Sequence, residues 1–370
     1  MAKKRYMDTR EESFFGNYLY DQIVPQDHFL RLLDQTIDWE RFTNQLIEIY
    51  RGGGEYGRPP FNPAQLLKMC LLAYFYDLSE RQTEVFVNEN LPAKYFVGLG
   101  IDQRAPDHST LSRFRARLTR QGSLKVFELL LTEIVQIAVE SGIQFGSIQV
   151  IDSVHSEANV NTAKDEKLKE KGEEPHDPDA KWGVKGKYKV KNEDGQEVER
   201  IKYFFGYKEH VSMNAESNLI TSLEVTSGEV YDGHHFCSLV DQDLAQSLPV
   251  QTYAADRGYD DGDNHFYLEY HHLNSAIHLK DIRIKKKDAN KEIWLELIET
   301  SEYKEGLKER YKIERKFGEA KQGHGLGRCR YLGLTGFGVQ AYFTAIALNL
   351  KRMVKALTGV GLKTRSALIA

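Results

Sequence analysis

An all-helical first domain followed by an α/β domain built on a mixed sheet is the fold this sequence predicts. Three observations carry the prediction. Up to about residue 145 the apolar residues recur at helical spacing. From about residue 146 short β-rich runs bounded by turn residues take over, and later alternate with helical stretches. Hydrophobic residues make up 41% of the 370, enough for a core in each of the two or three domains that this length implies.

In the first part, "NPAQLLKMCLLAYFYDLS" opens on Pro63 and is apolar nearly throughout, which predicts a buried helix. Ser79 is placed to cap the next helix, "SERQTEVFVNEN". In "APDHSTLSRFRARLTRQG", Asp107 and Ser109 are cap candidates and Gly122 is a natural stop. Leu111, Phe114 and Leu118 share one face of that helix, and Arg113, Arg117 and Arg120 share another. "SLKVFELLLTEIVQIAVESG" is a further amphipathic helix ending at Gly142.

In the second part, "SIQVID" is a strand ending on Asp152. "KYFFGYKEHVSMN" and "LITSLEVTSG" are two more, joined by the turn "AESN". A helix over "DGHHFCSLVDQDLAQS", a strand "VQTYAADRGYD", a helix "DNHFYLEYHHLN" and a short strand "SAIHLK" follow. Residues 291–321 read as helical, and "GFGVQAYFTAIALNLKRMVKAL" as a long apolar helix with a basic end. The order β-β-β-α-β-α-β-α matches a ribonuclease H-like layout, an antiparallel three-strand meander before parallel strands; alternation alone also permits other mixed sheets. Residues 161–200 interrupt it. Of these 40, 10 are basic and 11 acidic, too few apolar groups for a core, so they are expected to form a solvated insertion or a long mobile hairpin. Trp182 beside Lys181, Lys185 and Lys187 is its least bland stretch. The expected domains are 1–145, 146–350 and a tail from 351 to 370.

The net charge of −4 neither favours nor excludes a nucleic-acid partner, because local patches outweigh the total. Cys70, Cys237 and Cys329 are far apart, which argues against a structural zinc site and a disulfide scaffold. The start "MAKKRYMDTREESFF" has no apolar run behind it, so no signal peptide is read there. No apolar run approaches the ~20 residues needed to span a bilayer. The cytoplasm is the expected compartment.

Three carboxylates stand out by position: Asp152 at the end of the first strand, Asp256 at the end of the fourth, and Glu314 in the late helix. In a ribonuclease H-like sheet the first and fourth strands are neighbours, so the two aspartates would lie side by side, and a helix across the sheet would bring Glu314 opposite. Clustered anions stay ionised together when divalent cations bind between them. Oxygen-only ligands favour Mg²⁺ or Mn²⁺, and two such ions ~3.5–4 Å apart serve phosphoryl transfer. Each has a bland reading too. Strand-end aspartates are common, and Glu314 lies among Glu309, Lys312, Lys316 and Glu319, a set that would form a solvated salt-bridge face.

The Arg113–Arg117–Arg120 row is either a solvated helix exterior or a helix-turn-helix-like reader of DNA. Lys and Arg residues over 283–330 ("RIKKK", "KER", "ERK", "RCR") would track DNA near the site. A His/Asp metal hydrolase using His155 is a rival, though neither HxxxH nor HxH spacing occurs.

"VIDSVHSEANV", "YAADRGYDD" and "RYKIERKFGEAKQGHGLGRCRYLGL" together resemble the bacterial insertion-sequence DDE transposases, in the branch with a helical N-terminal domain. "DPDAKWG", "FFGYKEH" and "VTSGEVYDGHHF" are similar to that family's central region, and "RPPFNPAQLLKMCLLAYFYDLSERQ" with "DHSTLSRFRARL" to its first domain. The family's Arg-x3-Glu-x6-Lys signature reads Arg310, Glu314 and Lys321; the Tyr that usually stands three positions before the Arg is Leu307.

The resemblance implies a metal-dependent enzyme that cleaves DNA at an element's ends and transfers the freed strand to target DNA. It implies Asp152, Asp256 and Glu314 as ligands of two Mg²⁺ ions (or Mn²⁺), with Asp152 bridging both. Lys321 and Arg310 would contact phosphates, and Arg113, Arg117 and Arg120 the terminal inverted repeat. The implied partners are double-stranded DNA and a second copy of the chain on paired ends, with no membrane and a place on the nucleoid. A catalytically inactive DNA-binding descendant would be expected to have lost one of the three carboxylates; all three are present.

Overall fold

The computed structural model describes residues 6–7, 14–50, 59–191, 197–285 and 291–362. Two compact units are found: residues 1–138, 323–325 and 346–370 in one, and 139–322 and 326–345 in the other. Among the described residues eight α-helices precede the first strand: α1 (Phe14–Ile23), α2 (Phe29–Thr36), α3 (Trp39–Tyr50), α4 (Pro63–Phe75), α5 (Glu80–Glu89), α6 (Leu91–Val97), α7 (His108–Leu118) and α8 (Lys125–Glu140).

The helical unit is organised on α4, in which every residue from Pro63 to Phe75 is buried. Asn62 caps it and Pro63 fills its first turn, where a missing N–H costs nothing. Burial includes Lys68, whose ammonium meets Asp34 at 2.5 Å and lies over the rings of Trp39 and Phe96. A buried charge persists only when paired in this way. Ser79 caps α5 in a full capping box with Gln82. Asp107 caps α7 by accepting from the Thr110 N–H at 2.7 Å, and Leu111, Phe114 and Leu118 are the buried stripe of that helix. The α-helix stops at Leu118, before the expected Gly122; a short 3-10 turn, Arg120–Gly122, carries the chain to Gly122, where φ is +73°.

The mixed-sheet unit contains β1 (Ile148–Glu157), α9 (Thr162–Glu170), β2 (Lys181–Lys191), β3 (Glu197–Asn214), β4 (Ile220–Ser227), α10 (Phe236–Ala245), β5 (Thr252–Ala255), α11 (Gly262–Tyr270), β6 (Asn274–Ile277), α12 (Asp281–Lys285), α13 (Lys291–Glu299), α14 (Ser301–Glu309) and α15 (Tyr311–His324). The last helix, α16 (Gly333–Thr358), belongs to this unit through Ala345 and to the helical unit from Ile346. β1 pairs antiparallel with β3 and parallel with β5, β5 pairs parallel with β6, and β4 pairs antiparallel with β3. An antiparallel meander β1-β3-β4 followed by parallel β5 and β6 is the ribonuclease H-like sheet that the element order predicts.

Four local features refine or correct the sequence reading, each with a physical cause. Asp152 does not end β1: it is the fifth of ten residues. Pairing with β5 stops at Ile151↔Ala255, while pairing with β3 continues to Glu157. Of the two forms expected for residues 161–200, a solvated insertion or a long hairpin, residues 181–191 form one leg of a hairpin, and a short helix, α9, precedes it. Residues 181–191 pair with an extension of β3, so that backbone hydrogen bonds satisfy a ribbon whose charged side chains remain in water. The helical stretch 291–321 breaks into α13, α14 and α15, with Arg310 at the last junction. Helix α16 runs to Thr358 with Met353 and Val354 buried, as the helical reading of residues 336–357 expects, so the boundary set before the tail at 351 falls inside a helix. Residues 363–370 lie outside the described residues, as do Lys286 and Lys287 of "RIKKK". No helix among the described residues is long and apolar enough to cross a membrane.

Helix α14 lies against β6, β5 and β1. Gly306 permits the close approach: a Cβ there would be 2.4 Å from the Cβ of Ala276 and 3.4 Å from that of Ala254. Since α14 delivers Arg310 and α15, this contact sets the height of the following segment over the sheet. Gly306→Val is expected to lower the urea unfolding midpoint by an amount worth about 1–3 kcal/mol, the usual cost of overpacking. An unchanged midpoint would mean that the helix retreats freely.

Candidate active site

The register Ile151↔Ala255 makes Asp152 and Asp256 the next residues on two adjacent parallel strands. They leave the ladder together at its carboxyl end, where open α/β sheets bind ligands. Asp152 accepts from the Ser153 N–H at 2.8 Å. Asp256 caps the 3-10 turn Arg257–Tyr259, accepting from the Gly258 N–H at 2.7 Å.

Burial and the neighbouring Asp256 carboxylate push Asp152 up to about 7; Asp232 acts in the same sense, and Arg310 opposes them. The Tyr259 hydroxyl is buried against the same three aspartates, and burial first, then their charge, raises its pKa. Asp232 belongs to a loop fastened on both sides. Its carboxylate accepts from Lys208 Nζ at 2.8 Å, and the Tyr231 hydroxyl donates to the Gly258 carbonyl. The Asn264 amide holds this loop and the Asp256 loop together, donating to the carbonyls of Gly233 at 3.2 Å and Tyr259 at 3.0 Å.

Glu314 does not close up with this pair. It is exposed on α15. Among the described residues no three or more His, Cys, Asp or Glu side chains are placed to hold a metal ion together. A carboxylate that can reach water gains nothing by joining two others, which repel it. Residues on either side of Glu314 nonetheless have side chains near β1. Arg310, just before α15, acts on Asp152, and Lys321 Nζ lies 3.5 Å from His155 Nε2. Glu314 and Lys321 are seven residues apart, two turns on one face of α15. Beyond α15 the chain is fastened to the far end of β1: Ser156 donates to the Leu326 carbonyl, and Cys329 N–H to Glu157 O at 2.8 Å.

His155 has a basic surrounding. Burial and the ammonium groups of Lys321, Lys185, Lys202 and Lys208 depress its pKa to about 4, so it is neutral at physiological pH. Glu209, on the neighbouring strand, is buried and pushed up to about 8, with Lys321 opposing the shift. Arg113, Arg117 and Arg120 are exposed on α7 and the turn after it, in the helical unit. Arg113 folds back on Ser109, at 3.1 Å from its carbonyl and 2.8 Å from its hydroxyl.

Asp232, Tyr259, Glu209 and the lysines around His155 escape a reading by motif. Tyr259 has a local signal, since it follows Asp256 by three in a Gly turn. Glu209, Lys185, Lys202 and Lys208 become neighbours through strand pairing, and Asp232 and Lys321 through the turn before α10 and through α15.

A family model described as "Transposase DDE domain" matches residues 144–350, more than half of the chain, and one described as "Transposase domain (DUF772)" matches residues 18–117. A solved chain, "Mos1 transposase paired-end complex with left transposon end", aligns at 11% identity over 83% of this chain and 91% of that one. Its TM-score of 0.19 is too low to bear on fold or chemistry here.

In the folded protein Asp152 ionises near pH 7, and in the unfolded chain near 4. The folded state therefore holds the proton longer, and this residue's effect on stability worsens as pH rises from about 4 to about 7 and then levels off. Asp152→Asn is predicted to unfold at higher urea than the parent at pH 8 in buffer with a chelator, the gain shrinking at pH 5. A gain of equal size at both pH values would refute the assignment.

Proposed function

The chain belongs to the transposase DDE-domain family, and from that premise we propose that it is a DNA transposase, cutting phosphodiester bonds at the ends of an insertion sequence and joining the freed 3′ ends to target DNA. The observation that carries this reading is the side-by-side placement of Asp152 and Asp256 where the β1–β5 ladder ends.

The donor set is carboxylate oxygen, and burial together with repulsion from Asp256 raises Asp152, a strain that a divalent cation would relieve, so the pair suits Mg²⁺ or Mn²⁺. Asp152 and Asp256 would hold the ions, two per site, and Glu314 would complete the set from α15. Bound there, such ions supply an activated attacking oxygen and neutralise charge on the leaving oxygen. The chain's own groups position the substrate. Arg310 brings positive charge to the Asp152 side of the site and Lys321 to the His155 side, eleven residues or about three helical turns along the chain, which suits contacts to separate phosphates of one strand. Neutral His155 adds no charge of its own and leaves Lys321 free to donate. The exposed Arg113, Arg117 and Arg120 serve recognition of the terminal inverted repeat, and two copies of the chain on paired ends form the working assembly. The lysines around His155 repel a cation, which weighs against a histidine-ligated hydrolase.

Linear duplex DNA carrying the cognate ends, incubated with the protein and Mg²⁺, is expected to be nicked at those ends. Asp256→Asn and Glu314→Gln should each reduce the rate by at least a hundredfold. Cleavage that persists in Asp256→Asn, or in excess chelator, would overturn the reading. Binding without nicking by the parent protein would point to an inactive descendant.

A further inference from the structure

The ribbon formed by β2 and the first half of β3 has two unlike faces. Side chains alternate along a strand, so residues 198, 200, 202, 204 and 208 of β3 share a face. Opposite them β2 places Val190, Tyr188, Gly186 and Gly183. That face carries Arg200, Lys202 and Tyr188 and, among the described residues of the ribbon, no carboxylate. The other face carries Lys187, Lys189 and Lys191 together with Glu197 and Glu199. Two of its three lysines are answered: Lys187 meets Glu199 at 3.2 Å and Lys189 meets Glu197 at 3.1 Å.

The acid-free face leads to the candidate site. Phe204 packs on the His155 ring at 4.8 Å, and Lys208 stands directly opposite His155 in the β1–β3 ladder. A bulge interrupts the ribbon between Val184 and Gly186, making Lys185 the extra residue. Bulges re-aim side chains, and here Lys185 reaches the end of β1, 3.7 Å from Glu157. A cavity of about 520 Å³ opens beside it, lined by Lys185, Gly186, Lys187, Tyr188 and Lys202. Arg200 and Lys202 meet no carboxylate among the described residues, and Lys185 is held only by Glu157 at 3.7 Å; such cations beside an open groove that runs to a proposed phosphoryl-transfer site are complementary to a polyanion.

We propose that Lys185, Arg200 and Lys202 form a backbone-phosphate track for duplex DNA leading along the ribbon to Lys321 and the Asp152–Asp256 site. The inference rests on the transposase reading and extends it to a segment outside the carboxylate signature. The track reads charge and not sequence, so it acts on any duplex.

The test is a salt titration of full-length protein on a fluorescent duplex of unrelated sequence, followed by anisotropy. Each lost phosphate contact reduces the slope of log K against log salt by about 1. Lys185→Ala/Arg200→Ala/Lys202→Ala is expected to reduce the slope by about 3, and Lys189→Ala/Lys191→Ala to leave it close to the parent's. Should the triple variant not fold, Lys202→Ala alone, at an exposed position, should reduce it by about 1. A parental slope in the triple variant, or in Lys202→Ala if that variant has to decide, overturns the track while leaving the transposase reading standing. An equal loss in the Lys189/Lys191 variant overturns the choice of face. If the parent does not bind the duplex even at 50 mM salt, the DNA reading itself falls.

Discussion

Two carboxylates held side by side by strand pairing are the constraint on which the rest of the mixed-sheet unit depends. The β1–β5 register leaves Asp152 and Asp256 no alternative positions, because each follows a residue fixed in a parallel ladder. Burial turns that proximity into energy, seen in the raised Asp152. A fold that merely had to be stable would place an apolar or neutral residue there. The unit instead surrounds the pair with supports.

Those supports are polar and largely internal. Between β3, β4 and α10, Asp243 accepts from Ser212 at 2.6 Å and Ser222 at 2.9 Å, and Glu224 accepts from His235 and Gln242 at 2.6 and 2.9 Å. This network locks α10 to the sheet and so holds the preceding loop that presents Asp232. On the other side Asp260, buried four residues after Asp256, accepts from the Lys280 N–H at 2.6 Å and from Arg283 at 2.7 Å, with His265 at 3.1 Å. Those partners hold the Asp260 carboxyl below its ordinary range despite burial. Asp260 is thus satisfied and structural, while Asp256, its near neighbour in sequence, stands beside the buried Asp152. Position in the fold, not residue type, separates the two roles.

The strand order and the helical first unit were legible in the sequence because they follow from local signals. Pro63 at a helix start, Ser79 and Asp107 as caps, and the Leu111–Phe114–Leu118 stripe all act within a turn or two of the chain. The Asp152–Asp256 apposition was legible through strand order. Less so was the end of β1, where β5 stops and β3 continues, because a strand's length on each edge is set by different partners. The break at Arg310 was hidden as well: α14 and α15 form one helical pattern in sequence, and Arg310 between them keeps helical dihedrals, φ −56° and ψ −35°. For the ribbon, composition left two forms open, a solvated insertion and a long hairpin, and strand pairing selects the hairpin. Its charged composition correctly predicts exposure, and a two-stranded ladder meets its backbone needs without any core.

The strand β3 belongs to two structures at once. Its second half is the middle of the sheet, between β1 and β4; its first half is one leg of the ribbon, and Gly206 stands where the two meet, paired with Glu157 and Lys181. Every contact that positions Asp152 lies on the sheet side of that glycine. The far end of the ribbon is therefore a free length. Adding one residue to each leg extends its reach by about 3.4 Å and inverts its faces, while adding two to each preserves them. The arm is open to growth in steps of two, with a site at its root that does not register the change.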